Sequence, residues 1–166
     1  ASIGQVHQAI WKTGEKVAVK IQYPGAAQAL IADLNQIQRF GKIFGLFMPG
    51  LEMDPLLAEL RSRIMEEVDY RYEAKAQEAC YLAYANDPDI VIPKVIAVAD
   101  KVLVSSWLEG TPLSQIIKSG TTEMKNNAGI RLARFHFTCP ERAGLLHADP
   151  RSEEHTSELQ SLAYLV

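Results

Sequence analysis

Cysteine is scarce in this chain: of 166 residues only Cys80 and Cys139 are cysteine. They lie far apart and lack metal-ligand spacing, which excludes a disulfide framework or a zinc finger and leaves buried, reduced thiols in a reducing compartment. Long apolar runs are missing as well. None approaches the roughly 20 residues that span a bilayer, and no charged segment leads into a signal-like stretch. The first residue is Ala1, already inside a motif, so the lack of a visible targeting segment carries no weight. Positive charge is in short supply too: 17 Lys and Arg stand against 20 Asp and Glu, a net charge of -3. There is no basic stripe and no interleaving of aromatic and basic residues, so nucleic acid is not an expected partner. Internal repeats and low-complexity segments are also absent.

What is present suits a globular domain: 48% of the residues are hydrophobic, enough to bury a core. Residues 5 to 22 read as a hairpin. Val6, Ile10, Val17, Val19 and Ile21 recur with period two around the polar turn Thr13-Gly14-Glu15, which puts Ala18, Lys20 and Gln22 on the opposite face. From Ala26 to Phe47, Leu30, Ile31, Leu34, Ile37, Phe40 and Phe44 recur at helical spacing until Pro49-Gly50. A second, longer helix is expected from Asp54 to Ala85, with Pro55 in its first turn. Val95 to Val98 and Val102 to Ser105 form another hairpin around Asp100-Lys101. Thr111 then caps a short helix with Pro112 at its first position and Gly120 past its end. A last helix covers residues 122 to 138.

The order of these elements has a chemical meaning. A loop of small residues (Ala1-Ser2-Ile3-Gly4) leads into a strand, then a strand ending Val17-Ala18-Val19-Lys20, then a Glu-rich helix. A kinase-type nucleotide site needs that order, because loop N–H groups cover the phosphates, a strand lysine pairs with them, and a helix glutamate holds the lysine. A lysine on a valine-rich strand is by itself ordinary. On the long helix, Glu67 and Asp69 point to different sides, whereas Asp69 and Glu73 share a face and repel by about a few tenths of a kcal/mol. A cation is therefore expected there, either Lys20 or a metal ion bound with nucleotide. A solvated acidic face with Glu67 paired to Arg71 is the alternative. His7 and His136 lack partners at metal-ligand spacing and read as packed or surface residues.

Five segments resemble the UbiB family of atypical kinases, also called aarF-domain-containing kinases. Ser2-Ile3-Gly4-Gln5-Val6-His7 is similar to the end of its alanine-rich loop, and Val17-Ala18-Val19-Lys20 to its strand lysine. Glu67-Val68-Asp69-Tyr70 with Glu73-Ala74 resembles its E-x-D segment. Val102-Leu103-Val104 and Trp107-Leu108-Glu109-Gly110 are similar to its hinge, and His147-Ala148-Asp149-Pro150 to the start of its catalytic loop. The resemblance implies an α+β, protein-kinase-like fold with a small lobe of antiparallel strands and long helices over residues 1–106. Residues 107–150 would be the hinge and the first helices of a truncated large lobe.

By the same resemblance, Ala1, Ser2, Ile3, Gly4 and Val6 cover a nucleotide, Lys20 contacts its phosphates and pairs with Glu73, and Ser106 and Trp107 border the adenine. Glu67 and Asp69 shape the pocket; in the family they pair with a lysine of an upstream K-x-G-Q segment that is not in this sequence. Asp149 is the catalytic aspartate. Ser105-Ser106 stands where Met-Glu is frequent, and the Ala and Ser of the loop restrict the backbone more than glycines would. The implied ligands are ATP and Mg2+, with magnesium ligands beyond Pro150. A lipid or quinone precursor, a biosynthetic complex, and membrane association of a full-length parent on the cytoplasmic side are implied as well, as a cytoplasmic or peripheral membrane protein. A pseudokinase scaffold and a small-molecule phosphotransferase of the aminoglycoside-kinase type stay open.

After Pro150 the family pattern breaks off. Arg151-Ser152-Glu153-Glu154-His155-Thr156-Ser157-Glu158-Leu159-Gln160-Ser161 resembles an in-frame translation of a common sequencing-library adapter, so residues 151–166 are set aside as non-native. Three Glu and one Arg fall in that stretch, which therefore holds most of the net negative charge.

Overall fold

Alternating residues on either side of Thr13-Gly14-Glu15 fold as the expected hairpin, in which β1 (Gly4–Ile10) pairs antiparallel with β2 (Lys16–Gln22). Gly14 turns the chain at φ +92°, where a side chain would be strained, and the Trp11 N–H donates to the Glu15 carbonyl at 2.8 Å. The computed structural model describes residues 3–45, 53–145 and 164–165. Within them, α1 (Ala26–Gly45) follows the predicted helical spacing. Its apolar stripe is covered unevenly: Leu34 is buried while Ile37 and Phe40 stay exposed, because the main partner of α1 is another helix and not the sheet.

That partner is α2 (Met53–Val68), and here the sequence expectation needs correcting. The single helix predicted from Asp54 to Ala85 is two helices, α2 and α3 (Tyr70–Ala83), separated at Asp69. Asp69 adopts an extended conformation, and its carboxylate accepts a hydrogen bond from the Arg71 N–H at 2.9 Å. An aspartate in this position satisfies one of the orphan donors of a helix start, which favours a break where spacing alone reads as continuous. The Val68 carbonyl, left without a helical partner by the break, accepts from the Gln22 side-chain amide at 3.1 Å.

A two-residue strand, β3 (Ile90–Val91), precedes the second predicted hairpin, formed by β4 (Val95–Ala99) and β5 (Val102–Ser106). Because β5 also pairs antiparallel with β2, the four strands form one sheet in the order β1-β2-β5-β4. The hairpin faces depart from a simple inside and outside. Val17 and Ala18, on opposite faces, are both buried, and toward the strand end it is polar Gln22 that is buried and Ile21 that is exposed. The face of Ala18, Lys20 and Gln22 is the one that α3 approaches.

The short helix α4 (Leu113–Ser119) starts one step later than predicted. Pro112, extended at ψ 138°, is its N-cap, and its carbonyl accepts from Gln115 and Ile116; Thr111 is not the cap. The last helix, α5 (Thr122–Ala143), runs past the predicted residue 138 and keeps Pro140 within its final turn, until Gly144 ends it at φ +67°. Thr121 caps its start by accepting from the Met124 N–H at 3.2 Å. Of the segment 151–166, the described part is β6 (Tyr164–Leu165), which pairs antiparallel with β3.

Two buried clusters share α3. Tyr70, Ala74 and Leu103 join its first half to the sheet, with Ile3 and Val95 against them. Cys80, Tyr84, Ile90, Ile92, Phe135 and Cys139 join its second half to β3 and α5. Side chains three and four apart on a helix lie on one face, so a 14-residue helix can serve both clusters in sequence.

Candidate functional site

Lys20 is the centre of the sheet's α3-facing surface. It sits opposite Val6 on β1 and opposite Leu103 on β5, and directly opposed residues of an antiparallel pair share a face. Its ammonium lies 2.8 Å and 2.9 Å from the two carboxylate oxygens of Glu73 on α3. The two side chains are only 21% and 18% exposed, so the pair is shielded more than a surface ion pair is. The same nitrogen is 5.0 Å from the centroid of the Tyr70 ring, close enough for cation–π attraction. Tyr70 is fully buried, and it is the contact of Lys20 that periodicity did not reveal.

Gly4 makes this closeness possible. A Cβ on Gly4 would run into the Tyr70 hydroxyl and the Ile21 carbonyl. The backbone of β1 can therefore start against the first residue of α3 only without a side chain there. Ile3 packs on the same cluster, and its carbonyl accepts from the Tyr23 N–H at 2.8 Å. Val6 is half-buried beside Lys20. Three of the loop and strand residues singled out in the sequence, Ile3, Gly4 and Val6, thus come together around Lys20 and Glu73.

The other candidates fall differently. The cation expected near Asp69 and Glu73 is Lys20, but it serves Glu73; the Asp69 carboxylate is occupied in capping α3. Arg71 pairs with Asp100 at 2.8 Å, in the turn between β4 and β5. Glu67 lies in the last turn of α2, and its side chain is outside the described residues, as are Ala1, Ser2 and Asp149. At the end of β5, the Ser106 N–H donates to the Lys94 carbonyl at 2.9 Å and the Trp107 N–H to the Lys16 carbonyl at 3.2 Å. Since each residue has one backbone donor, neither N–H is left for an adenine edge while those bonds hold. Beside them, Lys16 bonds the Glu109 carboxylate at 2.9 Å and holds it below the usual carboxylate range, mainly through that hydrogen bond.

A second polar group ties the loop after α3 to α5. The Asp87 carboxylate, whose side chain is 2% exposed, accepts from Arg134 at 2.9 Å and Arg142 at 2.6 Å. Arg134 also pairs with Asp89 at 2.5 Å, and Arg142 lies over the Tyr84 ring at 4.1 Å. Among the described residues, no group of three His, Cys, Asp or Glu could hold a metal ion, and no helix is long and apolar enough to cross a membrane.

Residues 1–154 match the ABC1 atypical kinase-like domain. The chain is 34% identical over 128 residues to the mitochondrial atypical kinase COQ8 of Saccharomyces cerevisiae, covering 76% of this chain and 25% of the relative. It is 37% identical over 137 residues to the mitochondrial atypical kinase COQ8B of Rattus norvegicus, covering 81% and 26%. With coq-8 of Caenorhabditis elegans it shares 33% identity over 120 residues, covering 71% and 16%. The chain thus spans about a quarter or less of the length of these relatives. A solved structure of Rv3197 of Mycobacterium tuberculosis in complex with erythromycin superposes at TM-score 0.83 with 42% identity, over 99% of this chain and 42% of the other.

Proposed function

Because the chain belongs to the ABC1 atypical kinase-like family, we propose that it carries the phosphate-binding half of an ATP site, in a parent protein that transfers or hydrolyses the terminal phosphate. The observation that carries this reading is the part-buried Lys20–Glu73 pair beside Gly4 and Val6. An ammonium has three N–H donors, so its bond to Glu73 leaves capacity for a phosphate oxygen. Glu73 holds the ammonium aimed along one face of the sheet. Tyr70 beneath it excludes water from one side, which strengthens the attraction for an anion. In this reading residues 1–106 are the small lobe, and residues 107–150 lead through the hinge into the large lobe.

Bound magnesium would neutralise charge on the transferred phosphate. In this reading Lys20 and Glu73 serve the phosphate side; among the described residues no group of three His, Cys, Asp or Glu could hold the ion. Asp149 is the catalytic aspartate by resemblance, and Glu67 and Asp69 border the pocket with Asp69 acting through its cap on α3. Ser106 and Trp107 shape the adenine edge by side chain and carbonyl, since their N–H groups are engaged. The family resemblance supports isoprenoid-quinone biosynthesis or lipid homeostasis as the setting, with a lipid or quinone precursor in a biosynthetic complex at a membrane surface.

The test is ATP binding by the purified chain, read by calorimetry. Saturable binding is expected, lost in Lys20→Ala and weakened in Glu73→Gln, with little or no turnover. Binding that is indifferent to Lys20→Ala would refute the site, and clear ATP hydrolysis abolished by Lys20→Ala would refute the expectation of an inactive piece.

A further inference from the structure

Two nucleophilic side chains have no part in the nucleotide reading. Cys80 on α3 and Cys139 on α5 are 59 residues apart in the chain, yet their Sγ atoms lie 3.8 Å from each other, with the residues 3% and 1% exposed. They are free thiols, and either can donate to the other. A disulfide has its sulfur atoms about 2 Å apart, so the gap to close is about 2 Å.

The seam around them is held at several points. Tyr84 bonds Thr138 at 2.7 Å and packs its ring, tilted, against Phe135 at 5.5 Å. Arg142 bonds the Ala83 carbonyl at 2.9 Å, and Arg134 and Arg142 grip Asp87. These contacts bridge the two helices beside the facing sulfur atoms.

We propose that Cys80 and Cys139 are an oxidation site that forms an intramolecular disulfide, stapling α3 to α5 when a small-molecule disulfide supplies the oxidising equivalents. One cysteine thiolate attacks a sulfur of the small disulfide, whose S–S bond breaks and releases one small thiol. The second cysteine then attacks the mixed disulfide at the protein sulfur and releases the other small thiol. Two protein thiols lose two electrons and two protons in all, and the small disulfide gains them as two thiols.

Burial sets the rate. Removal from water, and then the neighbouring Cys139 sulfur, push the Cys80 thiol well above its ordinary value, so little thiolate is present in the closed seam. Exchange therefore waits for the seam to open or takes place during folding. Once closed, the bond is hidden from reductant by the same packing. A bond across a 59-residue separation also restricts the unfolded chain, which raises the melting temperature. This inference stands independently of nucleotide binding.

The experiment refolds the denatured 166-residue chain in a buffer of reduced and oxidised glutathione and, in parallel, incubates the folded chain with oxidised glutathione. The expected refolded product is two hydrogens lighter and resists alkylation. Trypsin then yields residues 76–94 linked to residues 135–142, and Tm rises relative to the reduced chain. The folded chain is expected to reach the same product more slowly. Two alkylatable thiols after refolding, a stable glutathione adduct in place of the internal bond, or a bonded product with a lower Tm would each overturn the proposal. Cys139→Ser, expected to give only the glutathione adduct, confirms the pairing where it folds; the linked peptides decide the matter without it.

Discussion

At the scale of single residues, the part of the candidate site that could be read from sequence is the pair of charges, and the part that could not is what makes them close. A lysine ending a valine-rich strand and a glutamate on a following helix are visible as types, and the resemblance to atypical kinases joins them. Nothing in their spacing of 53 residues says that Gly4 must be bare for Tyr70 to fit underneath. Gly4→Ala is therefore expected to cost roughly 1–3 kcal/mol, the usual penalty for overpacking, seen as a lower denaturant midpoint. An unchanged midpoint would mean that β1 can shift away from Ile21. For Lys20 and Glu73, a double-mutant cycle with Lys20→Met and Glu73→Gln should show a coupling of about 1–3 kcal/mol, between exposed and buried ion pairs. Additive effects on stability would show that the two charges do not depend on each other.

Among elements, the helices show where periodicity misleads. Residues 54 to 85 keep a helical pattern across Asp69, with no glycine or proline after Pro55 to stop it. The break is made by a carboxylate turning back to its own helix start. Asp69→Ala should destabilise the chain by about 1 kcal/mol, the ordinary value of an N-cap, whereas Asp69→Asn should be nearly neutral. Equal losses in both variants would point to a role for the charge itself. At the other end of α3, the hydrogen bond from Arg142 holds the Asp87 carboxyl below its ordinary value of 3.8. A carboxylate with a depressed folded-state value contributes stability that is present above its ordinary value and lost as pH falls through the lowered one. Acid titration of Tm should thus steepen below about pH 4, and Asp87→Asn should flatten that segment; an identical profile in the variant would exclude Asp87 as the titrating group.

For the molecule as a whole, the exposed apolar side chains matter most. Phe137 is 84% exposed and Ile130 66% exposed, seven residues apart on one side of α5, with Met124 and Ile117 also uncovered. An uncovered face of that kind favours self-association. The chain should elute as a concentration-dependent mixture in light-scattering chromatography, and Ile130→Lys with Phe137→Glu should make it monodisperse; a monomer at all concentrations before substitution would count against this. By itself the sequence determined the element types, both hairpins with their turns, and the identities of the lysine, the glutamate and the kinase-like order in which they come. Those features depend on contacts within a few residues, on period and on turn chemistry. Only the tertiary structure decided that α3 approaches the face of Ala18, Lys20 and Gln22 and that Cys80 meets Cys139. Each of these depends on where α3 lies between the sheet and α5, which is settled by packing between residues far apart in the chain and leaves no local periodic trace.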